Sequence, residues 1–132
     1  MLRVLQLWLP VVFWAAIILS AANDEFSNAK TQGWLARFFG DLPPVVNHAL
    51  RKGGHIAAYG ILGLLAWRAH RTLLVPLLIA FGVAAADETM QSLTITREGS
   101  PFDVLLDTCG ALLALICVPA VRARLSSRER AG

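Results

Sequence analysis

Apolar positions fall into four runs separated by short polar stretches. The first, residues 4–22 (VLQLWLPVVFWAAIILSAA), holds 19 residues without a charge. At a rise of about 1.5 Å per residue it crosses a hydrocarbon core of about 30 Å. A secretory leader is the competing reading, because Arg3 precedes the run and Ser20, Ala21 and Ala22 are small. The run is long for a leader and three more apolar segments follow, so it reads as an uncleaved span.

The other runs cover residues 56–67, 73–86 and 104–121, the last interrupted by Asp107. The middle two fall short of the roughly 20 residues that a spanning helix needs. They cross only if the bilayer takes in their flanks. Arg68, His70 and Arg71 form a tight basic turn between them. The extra length therefore comes from the far ends. That draws Lys52 and His55 into the second span, and Asp87, Glu88 and Gln91 into the third.

The expectation is an all-α bundle of four transmembrane helices, with spans near 4–22, 50–69, 72–91 and 101–121, in one domain over 1–132. Ser100 can cap the last helix, with Pro101 at its first position and Asp103 three residues after the cap. Pro119 is tolerated inside a membrane helix. Between the first two spans, Trp34, Leu35, Phe38, Phe39 and Leu42 recur at helical spacing with Lys30, Arg37 and Asp41 among them. This pattern suits a short interfacial helix ended by Pro43-Pro44. A plain loop is its alternative.

A water-soluble helical bundle is the alternative for runs this short, and the first span and the composition weigh against it. The chain is 56% hydrophobic and 16% charged, against about a quarter charged in soluble domains. The net charge of +3 matters less than its placement. With four spans, one side holds Arg3, Arg68, Arg71, Arg122, Arg124, Arg128 and Arg130 with the single acid Glu129. The other holds five basic residues and eight acids. Short loops obey the positive-inside rule, so both termini are expected in the cytoplasm of a bacterial inner membrane, with a multi-pass topology. The C-terminal arginines then need no nucleic acid, and none is expected as a partner. Cys109 and Cys117 lie eight residues apart in one apolar run, too far to bridge on a helix. They read as free membrane-embedded thiols.

Candidate chemistry collects on the outer side. Lys52, His55 and Tyr59 stand at i, i+3 and i+7. Asp87, Glu88 and Gln91 follow near the end of span three, Arg97 in the next loop, and Asp103 and Asp107 at i and i+4 on span four. Gly53, Gly54, Gly60, Gly63 and Gly110 would let helices approach closely. Charges at membrane depth are costly and by default point to a site. Each also has a structural reading: Lys52 and Asp103 as snorkelling ends or caps, His55 as a helix–helix hydrogen bond, and the whole group as an ion-pair network.

The ordered set Lys52-x-x-His55-x-x-x-Tyr59, Asp87-Glu88-x-x-Gln91, Arg97 with Gly99-Ser100, and Asp103-x-x-x-Asp107-x-x-Gly110 resembles the VanZ-like family of bacterial membrane proteins. The resemblance covers about residues 48–118 and the four-span layout. At Asp107 many members carry Asn. The family is named after a teicoplanin-resistance accessory protein, so the resemblance implies an envelope protein connected with glycopeptide resistance.

Three functions compete. In the first, a non-enzymatic protein binds a lipid-linked precursor or glycopeptide-type amphiphile. Lys52 and Arg97 would take phosphate or carboxylate, and the acids would take hydroxyls or amines. In the second, a membrane enzyme modifies a lipid headgroup, with His55 and Asp87 or Glu88 as acid and base. A metal at His55, Asp87 and Glu88 has no HExxH-like spacing behind it, so neither metal nor cofactor is expected. No Ser or Cys nucleophile adjoins the cluster, and the balance leans away from an enzyme. The third, proton or ion translocation, ranks last because the polar residues stop at the outer half. No feature of the chain specifies an oligomeric state.

Overall fold

A computed structural model of the chain describes residues 2–21, 43–93 and 100–129, with side-chain surroundings through residue 120, and the isolated positions Gly33, Arg37 and Gly40. Among the described residues the continuous helices are α1 (Leu2–Ser20), α2 (Pro44–Ala69), α3 (Leu74–Ser92) and α4 (Pro101–Glu129). No strand occurs among the described residues. The expected interfacial helix and Arg97 lie outside the described residues, apart from Arg37. Gly40 there has a positive φ of 73°, a conformation open to glycine at no steric cost.

Two helices extend beyond the expected spans. α2 begins at Pro44, six residues before the expected start of its span. The Pro43-Pro44 pair starts this helix, because a proline in the first turn forfeits only an amide that has no helical acceptor. α4 runs 29 residues, well past position 121. At 1.5 Å per residue it is roughly 43 Å long, longer than the hydrocarbon core. Ser100 O accepts the first α4 amide bonds, from Asp103 and Val104.

α1, α3 and the stretch Pro101–Ala120 of α4 are each long and apolar enough to cross a membrane. α2 carries Arg51, Lys52, His55 and Arg68 and is less apolar, but it is the helix on which the others pack. α2 and α4 run parallel: Lys52 meets Asp103, His55 meets Asp107, and Ile56 meets Gly110. A Cβ added at Gly110 would lie 2.8 Å from the Ile56 carbonyl oxygen, and one at Gly63 would lie 3.1 Å from the Ala111 Cβ. Gly60 sits under the Ala114 methyl. These three glycines set the close approach of α2 and α4. Gly53 and Gly54 face open space and play no part in it. α1 packs on α2 and α3, where the Trp14 Nε1–H donates to the Ala58 carbonyl at 2.9 Å.

The core is built of small and medium side chains: Val11, Ile18, Leu62, Ala66, Ala80, Ala84, Ala111 and Leu115. Leu9, Phe13, Leu78, Phe81, Leu105, Leu113 and Ile116 point outward. This inverted surface fits a lipid solvent, in which outward apolar residues carry no penalty. One contrast follows. Leu62→Ala should cost about 2–4 kcal/mol by opening a cavity. Leu113→Ala, on the lipid-facing surface, should cost less than about 1 kcal/mol. Thermal unfolding of the two variants in one detergent checks this, and equal losses would contradict the packing described.

The α2–α3 connection is as tight as the basic turn implies. The His70 amide donates to Ala66 O, the Thr72 amide to His70 O, and the Arg71 guanidinium lies 4.7 Å over the Trp67 ring. Cys109 and Cys117 are both free and exposed on the outside of α4.

Candidate functional site

Helix length fixes the depth of the polar side chains. Asp107 is six residues into α4, roughly 9 Å below its start, and Asp87 lies five residues before the end of α3, about 7 Å in. Asp87, Glu88, Gln91 and Asp107 are buried, with Asp87 only 2% and Asp107 1% exposed. Burying a carboxylate in this way is unfavourable unless partners meet it.

Each carboxylate has one. Asp107 Oδ2 faces His55 Nδ1 at 3.3 Å. The Tyr59 hydroxyl donates to Asp87 Oδ2 at 3.2 Å. The Ser100 backbone N–H donates to Glu88 Oε2 at 2.7 Å. Lys52 Nζ bonds Asp103 Oδ1 at 2.7 Å and lies 5.7 Å over the Phe102 ring. The His55 and Tyr59 rings stack with centroids 6.4 Å apart. Asp103 thus serves Lys52, where the sequence also allowed a capping role.

The site has layers. At the rim, the Lys52 and Asp103 side chains are about one-third exposed, 35% and 33%. Below them His55 keeps 35% of its side chain exposed while its partner Asp107 is sealed. Tyr59 and Asp87 form the floor, and Tyr59 is fully buried. Of the nine candidate residues, the structure joins Lys52, His55, Tyr59, Asp87, Asp103 and Asp107 in three contacts between α2 and its neighbours. Glu88 turns to the start of α4, and Gln91 is buried one turn further along α3.

One buried polar residue escaped the sequence reading. Asn47 is 3% exposed and its Oδ1 has no hydrogen-bond partner among the described residues. Its signal is spacing: 47, 51, 55 and 59 fall at i, i+4, i+8 and i+12, one stripe of α2. Starting that stripe at Lys52 hid its first turn.

Chemically, the cluster offers an imidazole beside a sealed carboxylate, a second sealed carboxylate held by a phenol, and a rim ion pair. The orienting acid for His55 is Asp107, on α4. Cys109 and Cys117 lie on the outer surface of α4, and the Thr108 hydroxyl is engaged with Val104 O.

The fold and the inverted surface define a polytopic helical membrane protein with a polar site at one end of its bundle. A family model described as VanZ/LLP1 matches residues 5–122, nearly the whole chain, and the protein belongs to that family. No curated protein and no solved structure matches it.

Proposed function

We propose that this VanZ-like protein resides in the bacterial cytoplasmic membrane with both termini in the cytoplasm, and that its outward-facing polar site binds the head of an envelope amphiphile. The class proposed is a lipid-linked cell-wall precursor or a glycopeptide-type lipid. The resemblance to the VanZ-like family adds to this proposal a role in glycopeptide resistance of the teicoplanin type. The observation that carries this reading is the graded exposure of the cluster. Lys52, Asp103 and His55 remain one-third open while the acids behind them are sealed. A network serving only to hold helices together has no need of an open mouth. Orientation rests on the count of arginines on the side of the α2–α3 turn and the C-terminal segment.

Purified protein should bind labelled lipid II. Lys52→Ala should weaken that binding at least about tenfold, the scale of one lost charge-assisted contact. Wild-type protein that is folded and binds none would remove the proposal.

The His55–Asp107 pair supports a second reading, a headgroup-modifying enzyme with His55 as base. An unchanged lipid and precursor profile in a deletion strain would argue against it.

A further inference from the structure

We propose that His55, Asp87 and Asp107 form a binding site for one divalent first-row metal ion, of the zinc or manganese class. This is independent of the amphiphile proposal, and either can fail alone.

The three residues come from three helices, and one ligand atom from each lies within 4.8 Å of the others. A tetrahedral ion with bonds of about 2.1 Å holds its donors roughly 3.4 Å apart. Closing the set therefore takes side-chain rotations of about an ångström and no movement of helices.

Four further observations favour an ion over a closed hydrogen-bond network. First, Asp87 has its two oxygens in different states. Oδ2 accepts from the Tyr59 hydroxyl, while Oδ1, buried with the rest of the side chain, has only the Gln91 amide one turn on as a neighbour and makes no close hydrogen bond. That is the arrangement of a metal ligand oriented through its second oxygen by an outer partner. Second, the His55–Asp107 separation of 3.3 Å is long for a charge-assisted hydrogen bond, for which about 2.7–2.9 Å is usual. It suits two ligands flanking a common centre. Third, the nearest lysine is committed elsewhere, to Asp103 at 2.7 Å. The partners of Asp87 and Glu88 are a phenol, the Gln91 amide and a backbone amide, all neutral. Two sealed carboxylates on α3 and α4 face one imidazole on α2, and a cation would add to what His55 and the neighbouring Arg51 contribute there. Fourth, His55 is 35% exposed, which gives the ion an entry path and leaves a position for water or a ligand oxygen.

The donor set selects the class. One imidazole and two carboxylates without thiolate favour Zn²⁺ or Mn²⁺ over Ca²⁺ or Mg²⁺, which prefer oxygen alone. The third ligand is Asp107 on α4. Glu88, next to Asp87 in sequence, is turned to Ser100. This is why the linear spacing held no metal signature.

The test uses full-length protein in detergent, stripped with chelator and then dialysed against Zn²⁺, Mn²⁺ or Co²⁺. One ion per chain should bind with a dissociation constant in the micromolar range or below. His55→Ala and Asp107→Asn should each weaken binding at least tenfold. His70→Ala, at an exposed histidine in the α2–α3 turn, should leave it unchanged. Should either site variant misfold, the visible spectrum of Co²⁺ in the wild type decides instead. It should show d–d bands of a low-coordinate site with nitrogen and oxygen ligands, and no thiolate charge-transfer band. Folded wild type that takes up no ion at 100 µM metal overturns the proposal. So does binding that survives His55→Ala and Asp107→Asn but is lost in His70→Ala, or a cobalt spectrum of the hexaaquo ion.

Discussion

Replacing Gly110 by leucine should destabilise the bundle by about 3 kcal/mol or more, at the upper end of what overpacking costs. The reason is the identity of the atoms a side chain would meet. A Cβ at this position lies 2.8 Å from the Ile56 carbonyl oxygen and 3.0 Å from the Ile56 Cα. Both are backbone atoms of α2, so relief requires the two helices to part. Parting them would separate Lys52 from Asp103 and His55 from Asp107 together. Gly110→Ala introduces the same Cβ but regains about 1 kcal/mol of helix propensity. Its net cost should be smaller, about 1–2 kcal/mol. Gly53→Ala and Gly54→Ala, where a Cβ meets nothing within 4 Å, should stabilise α2 slightly. Unfolding midpoints in detergent rank the four variants. A tolerated leucine at 110 would show that the close approach of α2 and α4 is absent in the membrane protein.

The second large effect is expected at the His55–Asp107 pair. His55→Leu leaves Asp107, 1% exposed, without its described partner. Removing one member of a buried pair typically costs about 3–5 kcal/mol. The double replacement of both residues by leucine removes the buried charge along with the partner, and it should recover most of that loss. A double-mutant cycle with chelator present reads the pair and not a bound ion. Additive losses would mean that the two side chains do not interact. A stable double variant that no longer binds ligand would separate the site's role from the bundle's need for it.

Much of this architecture could be read along the chain. Residues 68–71 mark the α2–α3 turn, Ser100-Pro101 marks the start of α4, and the apolar runs mark the four helices. The ordered polar residues were also legible, because helix ends and depth follow from residue counts. What spacing does not fix is how each helix is rotated about its axis against its neighbours. Gly53 and Gly54 looked equivalent to Gly60 and Gly63, yet only the latter pair faces α4. Asp87 and Glu88 are adjacent in sequence but about 100° apart around α3, so one meets Tyr59 and the other Ser100. The partner of His55 was hidden for a related reason. It lies 52 residues away, and only tertiary packing selects Asp107 over Asp87 or Glu88. The six residues by which α2 precedes its expected span were not legible because a proline pair reads as a helix breaker as readily as a helix start.

The uneven apolarity of the helices bears on biogenesis. α1, α3 and the stretch Pro101–Ala120 of α4 are long and apolar enough to cross a bilayer, whereas α2 carries Arg51, Lys52, His55 and the buried Asn47. Its residence across the membrane depends on neighbours synthesised after it. α3 must bring Asp87 to Tyr59, and α4 must bring Asp103 and Asp107 to Lys52 and His55. A nascent chain ending before α4 would leave Lys52 and His55 without Asp103 and Asp107. The polar cluster would then also help to hold the second helix in the membrane, a contribution complete only once the last helix has been made.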